Sequence, residues 1–286
     1  MSMFDGDVVW ITGAAGGIGA ASAHRMAAEG ARLILSDACV DTSGAPEPEG
    51  RARLDALAAE LTAAGAEVVA VHAAAHVESD VARTLAEGLA RFGRLDALVT
   101  CAGIDVDATL FRTSLDAFAH VMSAQVTGSF LPAQVSAKQM LAQNKASGEQ
   151  RGGRVVMLSA ASGLLGQYAQ VAGATAASAV LGMSRTLAVE LQRHGVMVNT
   201  CVPLAKTRMT AHLPVFESVN TMMPSHVAPA ISFLASRRVG TRTGNIVGAA
   251  GGRMYAFKLV ESHGKFKDGD PWLEEEIAEH WPAIVK

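Results

Sequence analysis

A strand that runs straight into a glycine turn and then a helix constrains this chain more than any other feature. Residues 7–12 read DVVWIT, residues 13–19 read GAAGGIG, and an alanine-rich stretch of helical spacing follows. Glycines permit a tight reversal and let a ligand approach the backbone, and the first amides of the helix behind them lack carbonyl partners. Those amides and the helix dipole favour an anion, so the arrangement is that of a dinucleotide-binding turn with a pyrophosphate on the helix start. Thr12, Gly13, Gly17, Ile18 and Gly19 are therefore candidate cofactor-binding residues. Asp37 closes the next β-branched run eighteen residues after Gly19, where a carboxylate can bond the adenosine ribose hydroxyls. The same charge repels a 2′-phosphate, and the turn holds no Arg or Lys, which favours NAD over NADP. A glycine turn can also serve only to pack a helix on a sheet, and that alternative stays open at this point.

Short apolar runs recur at 7–12, 31–36, 67–72, 95–100, 153–159, 195–201 and 245–247, with Ala-rich helical stretches between them. That alternation predicts an α/β fold, a Rossmann-type doubly wound parallel sheet of about seven strands with helices on both faces. Half of the 286 residues are hydrophobic, enough for one large core. We expect a single domain over residues 1–252 and a C-terminal extension over 253–286. Residues 38–50, ACVDTSGAPEPEG, read as a long loop before a helix that starts near Arg51. In the extension, Asp270 is the expected helix cap, Pro271 sits in the first turn, and Glu274, Glu275 and Glu276 lie at the positive end of the dipole. Leu273, Ile277 and Trp281, four apart, form an apolar stripe that docks on its own domain or on another subunit.

The charge balance, 24 basic against 27 acidic residues, gives no electrostatic footprint for nucleic acid or an anionic membrane. No stretch reaches the ~18 apolar residues of a membrane helix, and the first twenty residues lack a basic start and a cleavage region. A soluble cytoplasmic protein is the expectation. Cys39, Cys101 and Cys201 are widely spaced and odd in number, which argues against a disulfide framework or a metal site.

Four segments, TGAAGGIG at 12–19, CAG at 101–103, SAASGLLG at 159–166 and GNIVGAAGG at 244–252, resemble the short-chain dehydrogenase/reductase family. The long loop after Asp37 and the stretch PLAKTRMT at 203–210 resemble in particular the (3R)-hydroxyacyl-CoA dehydrogenases of the peroxisomal multifunctional enzyme type 2 kind and their bacterial relatives. The resemblance implies further cofactor contacts at His76, Val77, Cys101, Ala102, Gly103, Pro203 and Thr207. It also implies a Ser, a Tyr thirteen residues later and a Lys four after that, assisted by a residue on the preceding helix. There the Tyr exchanges a proton with the substrate oxygen while hydride moves to or from the nicotinamide, and the Lys lowers the Tyr pKa and holds the ribose. Counting forward from Gly163 and backward from Gly182 and Glu190 places these roles on Ala160, Gly173 and Ala177, with Gln125 at the assisting position.

None of the three relay positions carries a functional group. The chain has only two tyrosines, Tyr168 and Tyr255, and residue 172 is Ala and residue 259 is Leu, so no Tyr is followed by a Lys four residues later. With no Lys at 177, with His76 where the family has an Asp and Cys101 where it has an Asn, NAD binding is expected to be weakened or lost. His76 reads as a solvated strand-end histidine and Cys101 as a buried structural thiol. Three functional readings follow. The first is a catalytically silent subunit in a homo- or hetero-oligomer with an active homologous dehydrogenase, with an acyl-CoA-type ligand. The second is an active NAD-dependent oxidoreductase on a (3R)-hydroxyacyl-CoA or related substrate, with another proton donor; Tyr168 beside Ser159 or Ser162 is its candidate, and a half-buried loop aromatic the plainer reading of Tyr168. The third is a sensor of NAD or acyl-CoA.

Overall fold

In the computed structural model, which describes residues 2–148, 151–213, 216 and 221–286, the seven apolar runs are strands. They are β1 (Val8–Thr12), β2 (Arg32–Asp37), β3 (Val68–His72), β4 (Ala97–Thr100), β5 (Gly153–Leu158), β6 (Val196–Leu204) and β7 (Ile246–Ala250). All pair in parallel, and β1 lies between β2 and β4. Trp10 faces Ile34 on one side and Leu98 on the other, and every residue of β1 is buried. A strand covered on both faces needs apolar side chains in both directions, which is why DVVWIT shows no alternation.

One layer of core joins Val9, Ile11, Leu33 and Leu35 to helices α1 (Gly17–Ala28), α2 (Gly50–Ala63) and α8 (Pro224–Ala235). The other joins Val8, Trp10, Ile34 and Leu98 to α3 (Glu78–Phe92), α5 (Gly128–Ser147) and α7 (Val171–Gln192). Each fully buried Leu, Ile or Val contributes roughly 1.5–3 kcal/mol. Gly88 on α3 gives Ile34 its room, since a Cβ there would run into the Ile34 side chain. Helix α4 (Leu115–Met122) continues into α5 through a π-helical turn, Ser123–Thr127, and α6 (Ser162–Leu165) is a single turn.

One strand lies beyond the seven apolar runs. An eighth strand, β8 (Arg253–Phe257), pairs beside β7 at the sheet edge in the order β3-β2-β1-β4-β5-β6-β7-β8. The Gly251-Gly252 turn joins the two, and only an antiparallel pair accepts so short a link. Its residues, RMYAF, are mostly exposed despite four apolar side chains, and Tyr255 lies over Gly248, where a Cβ would strike the ring. The compact unit consequently extends to Ala256, and Phe257–Lys286 forms a second unit.

In that second unit, α9 (Glu274–Ile284) begins later than expected. Asp270 does not cap it and Pro271 precedes its first turn. The Glu276 carboxylate instead accepts from the Leu273 amide at 2.9 Å and pairs with Lys267 at 2.6 Å, which holds its carboxyl below the usual range. Among the described residues, no helix is long and apolar enough to cross a membrane.

At the N-terminal end of β1, opposite the strand C-termini, Arg237 makes two bonds to the buried Asp7 carboxylate, at 2.6 and 3.0 Å, with Arg151 3.6 Å away. Arg237→Ala leaves that carboxylate with a distant partner only. The urea midpoint is expected to fall by the equivalent of roughly 1–3 kcal/mol, and an unchanged midpoint would assign the pair no stabilising role.

Candidate functional site

The chain order reverses between β1 and β4, and a doubly wound sheet opens a cleft outside the strand C-termini at such a point. Gly13 leaves β1 with φ +63°, and a Cβ on it would lie 2.6 Å from the Ala102 amide nitrogen, so only glycine allows the two strand-end segments to close up. Gly19 likewise packs against the Gly13 carbonyl, and a Cβ on Gly17 would come within 3.1 Å of Thr207 Cγ2. Gly16 precedes α1 in extended conformation with no side-chain cap, which leaves the first amides of the helix directed at the cleft.

The cleft gathers Gly13, Gly17, Ile18, Gly19, Asp37, His76, Cys101, Ala102, Gly103 and Thr207. Thr12, Val77 and Pro203 lie outside its lining. Thr12 is buried and its hydroxyl accepts from the Ala102 amide at 3.3 Å; Val77 precedes α3; Pro203 belongs to β6. The Asp37 carboxylate accepts from the amides of Ala15 at 2.9 Å and Cys39 at 2.7 Å, which fixes it at the rim. This cradle, close backbone at Gly13 and Gly19, uncapped amides on α1 and a fixed carboxylate on β2, fits the pyrophosphate and adenosine ribose of a dinucleotide.

Several features of the site carry no sequence signal. The 38–50 loop folds into a strap along the cleft, closed by a bridge between Val40 and Pro46 and by the Asp41 carboxylate, which accepts from Ser43 and Ala45. Gly44, at φ +91°, lies directly against His120 of α4. Glu47 pairs with Arg53 and, at 3.1 Å, with Arg208; Arg53 chiefly holds its carboxyl below the usual range. His76 is not the solvated side chain expected: it is half-buried in the cleft wall near His120, and burial first, then His120, lowers its pKa. Cys101 is half-buried in the cleft wall, and desolvation there pushes its thiol pKa well up; burial also raises Cys201 to about 12 and Cys39 to about 11.

The positions assigned to the relay, Ala160, Gly173 and Ala177, lie outside the cleft's lining, and none carries an ionisable side chain. Ala177 is buried in α7, and Ser159 Oγ donates to its carbonyl at 2.9 Å. Ala160 is exposed after β5, and Gly173 opens α7. Gln125 sits in the π-helical turn and donates from Nε2 to the Ile104 carbonyl at 2.7 Å, fixing the segment after β4. Tyr168 is 87% exposed on its loop, not the half-buried aromatic expected.

Comparison with known proteins agrees with this geometry. The family described as short chain dehydrogenase matches residues 7–217. Peroxisomal multifunctional enzyme type 2 of Mus musculus is 29% identical over 283 residues, covering 98% of this chain and 37% of the mouse protein. The chain thus spans little more than a third of that relative. The 3-oxoacyl-[acyl-carrier-protein] reductase of Synechocystis is 32% identical over 243 residues, covering 82% of this chain and 92% of the reductase. Among solved structures, a short chain dehydrogenase from Mycobacterium avium superposes with a TM-score of 0.86 at 32% identity, covering 99% of this chain and 96% of that one.

Gly13→Ala forces a Cβ against Ala102 at a positive φ. We expect NADH fluorescence titration to show nucleotide binding lost or weakened by an order of magnitude or more, with a cost of roughly 1–3 kcal/mol in stability; binding equal to that of the unmodified chain would overturn the assignment of the turn. A colourimetric thiol reagent at about pH 8 should leave the three cysteines unmodified on the minutes scale in the folded chain and titrate all three after denaturation. Rapid reaction of Cys101 would contradict the raised pKa of its thiol.

Proposed function

This chain belongs to the short-chain dehydrogenase/reductase family of oxidoreductases, and from that premise we propose that it is a member silent by itself in hydroxyl–ketone exchange, serving as a subunit beside an active homologue. The family and the fold imply a nicotinamide dinucleotide cofactor, NAD or NADP. Asp37 at the β2 terminus supports NAD, and when bound that group would supply hydride chemistry at the strand C-termini. The side chains present at Ala160, Gly173 and Ala177 are the observation that carries the proposal. None can give or take a proton, and no lysine lies between Lys145 and Lys206 to tune one. General acid–base catalysis supplies roughly 10²–10⁴-fold, and groups that act as a unit are lost together. Ser159 does not compensate, because its hydroxyl is committed to the Ala177 carbonyl.

What the chain retains also supports the reading. The cleft, the strap and both core layers are complete without those side chains. A chain of this kind acts by holding a ligand and by assembly. The relatives named for multifunctional and reductase activities suggest an acyl thioester as that ligand.

The test is turnover with NAD and a panel of (3R)-hydroxyacyl-CoAs. The unmodified chain should give rates at the enzyme-free blank, and the triple change Ala160→Ser, Gly173→Tyr and Ala177→Lys should raise them by roughly 10²-fold or more. Turnover well above blank by the unmodified chain would overturn the silent reading. Co-purification with a second family member whose own relay supports turnover would establish the partner role.

A further inference from the structure

At Gly173 the missing side chain leaves a space with one polar neighbour. Apart from its own helical turn and chain neighbours, the one atom of the described residues within 4 Å of a Cβ placed there is Asp105 Oδ1, at 3.3 Å. Asp105 belongs to the segment after β4, and its backbone is held from several sides. Its amide donates to the Thr42 carbonyl of the strap at 2.8 Å, the adjoining Ile104 carbonyl takes the Gln125 bond, and Ala108 bonds to the Ala169 carbonyl at 2.7 Å. The carboxylate is therefore carried to Gly173 by a rigid support, the arrangement a binding group needs.

Its own partners do not saturate it. A carboxylate has roughly four acceptor sites. Here the Val106 amide and, at 3.4 Å, the Gln170 Nε2 of the α7 end approach it. Among the described residues no Arg or Lys pairs with it. The charged groups that act on it are Asp107 on its own segment and His212 from the 205–213 segment, and His212 lies 3.6 Å from Asp107. Burial, with Asp107 adding, raises the Asp105 carboxyl to about 6. Above that pH a half-buried, under-bonded acceptor faces the space at Gly173; below it, the same group becomes a donor.

We infer that Asp105 makes this space a subsite for a ligand hydroxyl, so that the chain holds the hydroxyl form of a hydroxyl/keto pair in preference to the keto form. A hydroxyl donates a charge-assisted hydrogen bond to the carboxylate, whereas a keto oxygen meets it as a second acceptor. The inference rests on the silent reading above: a subunit that does not interconvert the two forms can discriminate between them, and a (3R)-hydroxyacyl thioester is the chemical class that fits. Asp105 is a specificity residue on this account, and no proton or hydride transfer is asked of it.

The experiment is calorimetric titration of the full chain with (3R)-hydroxybutyryl-CoA and with acetoacetyl-CoA, without nucleotide, at about pH 7.5 and about pH 5. At the higher pH the hydroxy form should bind about tenfold or more tighter, the range of a hydrogen bond to a charged group. At the lower pH the ratio should fall toward one in the unmodified chain, and Asp105→Asn and Asp105→Ala should abolish it at both. Equal binding of the two forms at about pH 7.5, binding of neither, or a preference that survives in a folded Asp105→Ala chain would overturn the inference. The unmodified chain's own pH dependence decides the matter even where a variant fails to fold. Because no nucleotide is present, turnover found in the preceding assay would sink the silent reading without touching this result.

Discussion

The close approach of the Gly13 backbone to Ala102 is the contact on which the rest of the cleft depends. It brings the ends of β1 and β4 together at the one place where the sheet reverses its order, and it sets the direction in which α1 leaves β1. From that junction the amides of α1, the Asp37 carboxylate and the backbone after β4 all face one space. The contact requires a left-handed residue without a Cβ, a demand glycine meets at a cost borne in chain entropy. The buried apolar strands on either side supply the stability that offsets it.

The cleft and the relay positions have different character. In the cleft the parts are fixed twice: Asp37 by two backbone amides, the strap by its internal bridge and by Glu47 between Arg53 and Arg208. At the relay positions the side chains are small and α7 packs closely: Ser178 Oγ bonds to the Gly163 carbonyl at 2.6 Å, and a Cβ on Gly163 would meet the α7 backbone. A lysine on the buried face at Ala177 would carry a desolvation cost that alanine lacks. The alanine there keeps the buried face free of that charge.

How much of this the sequence disclosed depends on the range of the interaction. The seven apolar runs, the glycine turn and Asp37 were legible because each is a local pattern with a local cause: burial on both faces, positive φ, a strand terminus. The eighth strand was not, since Arg253–Phe257 forms at an exposed sheet edge and is specified by the preceding glycine pair and by the Tyr255–Gly248 contact. Asp270 looked like a cap by type, yet the Glu276 carboxylate, reaching back three residues, satisfied the helix start instead. His120, Arg208 and Asp105 reach the site through segments separated by scores of residues, and no spacing rule connects 44 with 120 or 105 with 173.

That last pair bears on why the space at Gly173 is not merely vacant. Unpaired buried charge is among the more expensive things a fold can keep. Ala160, Gly173 and Ala177 carry no such cost. Asp105 does: its carboxyl is held with raised proton affinity by burial and by Asp107, so at neutral pH the folded state pays for its ionisation where an asparagine would not. The raised pKa means the stability cost grows as pH rises from the ordinary carboxylate range through about 6 and is fully present above it. A group that is costly at neutral pH, rigidly supported on three sides and directed at Gly173 has the physical profile of a binding group, and what an ionised acceptor there can bind is a donor.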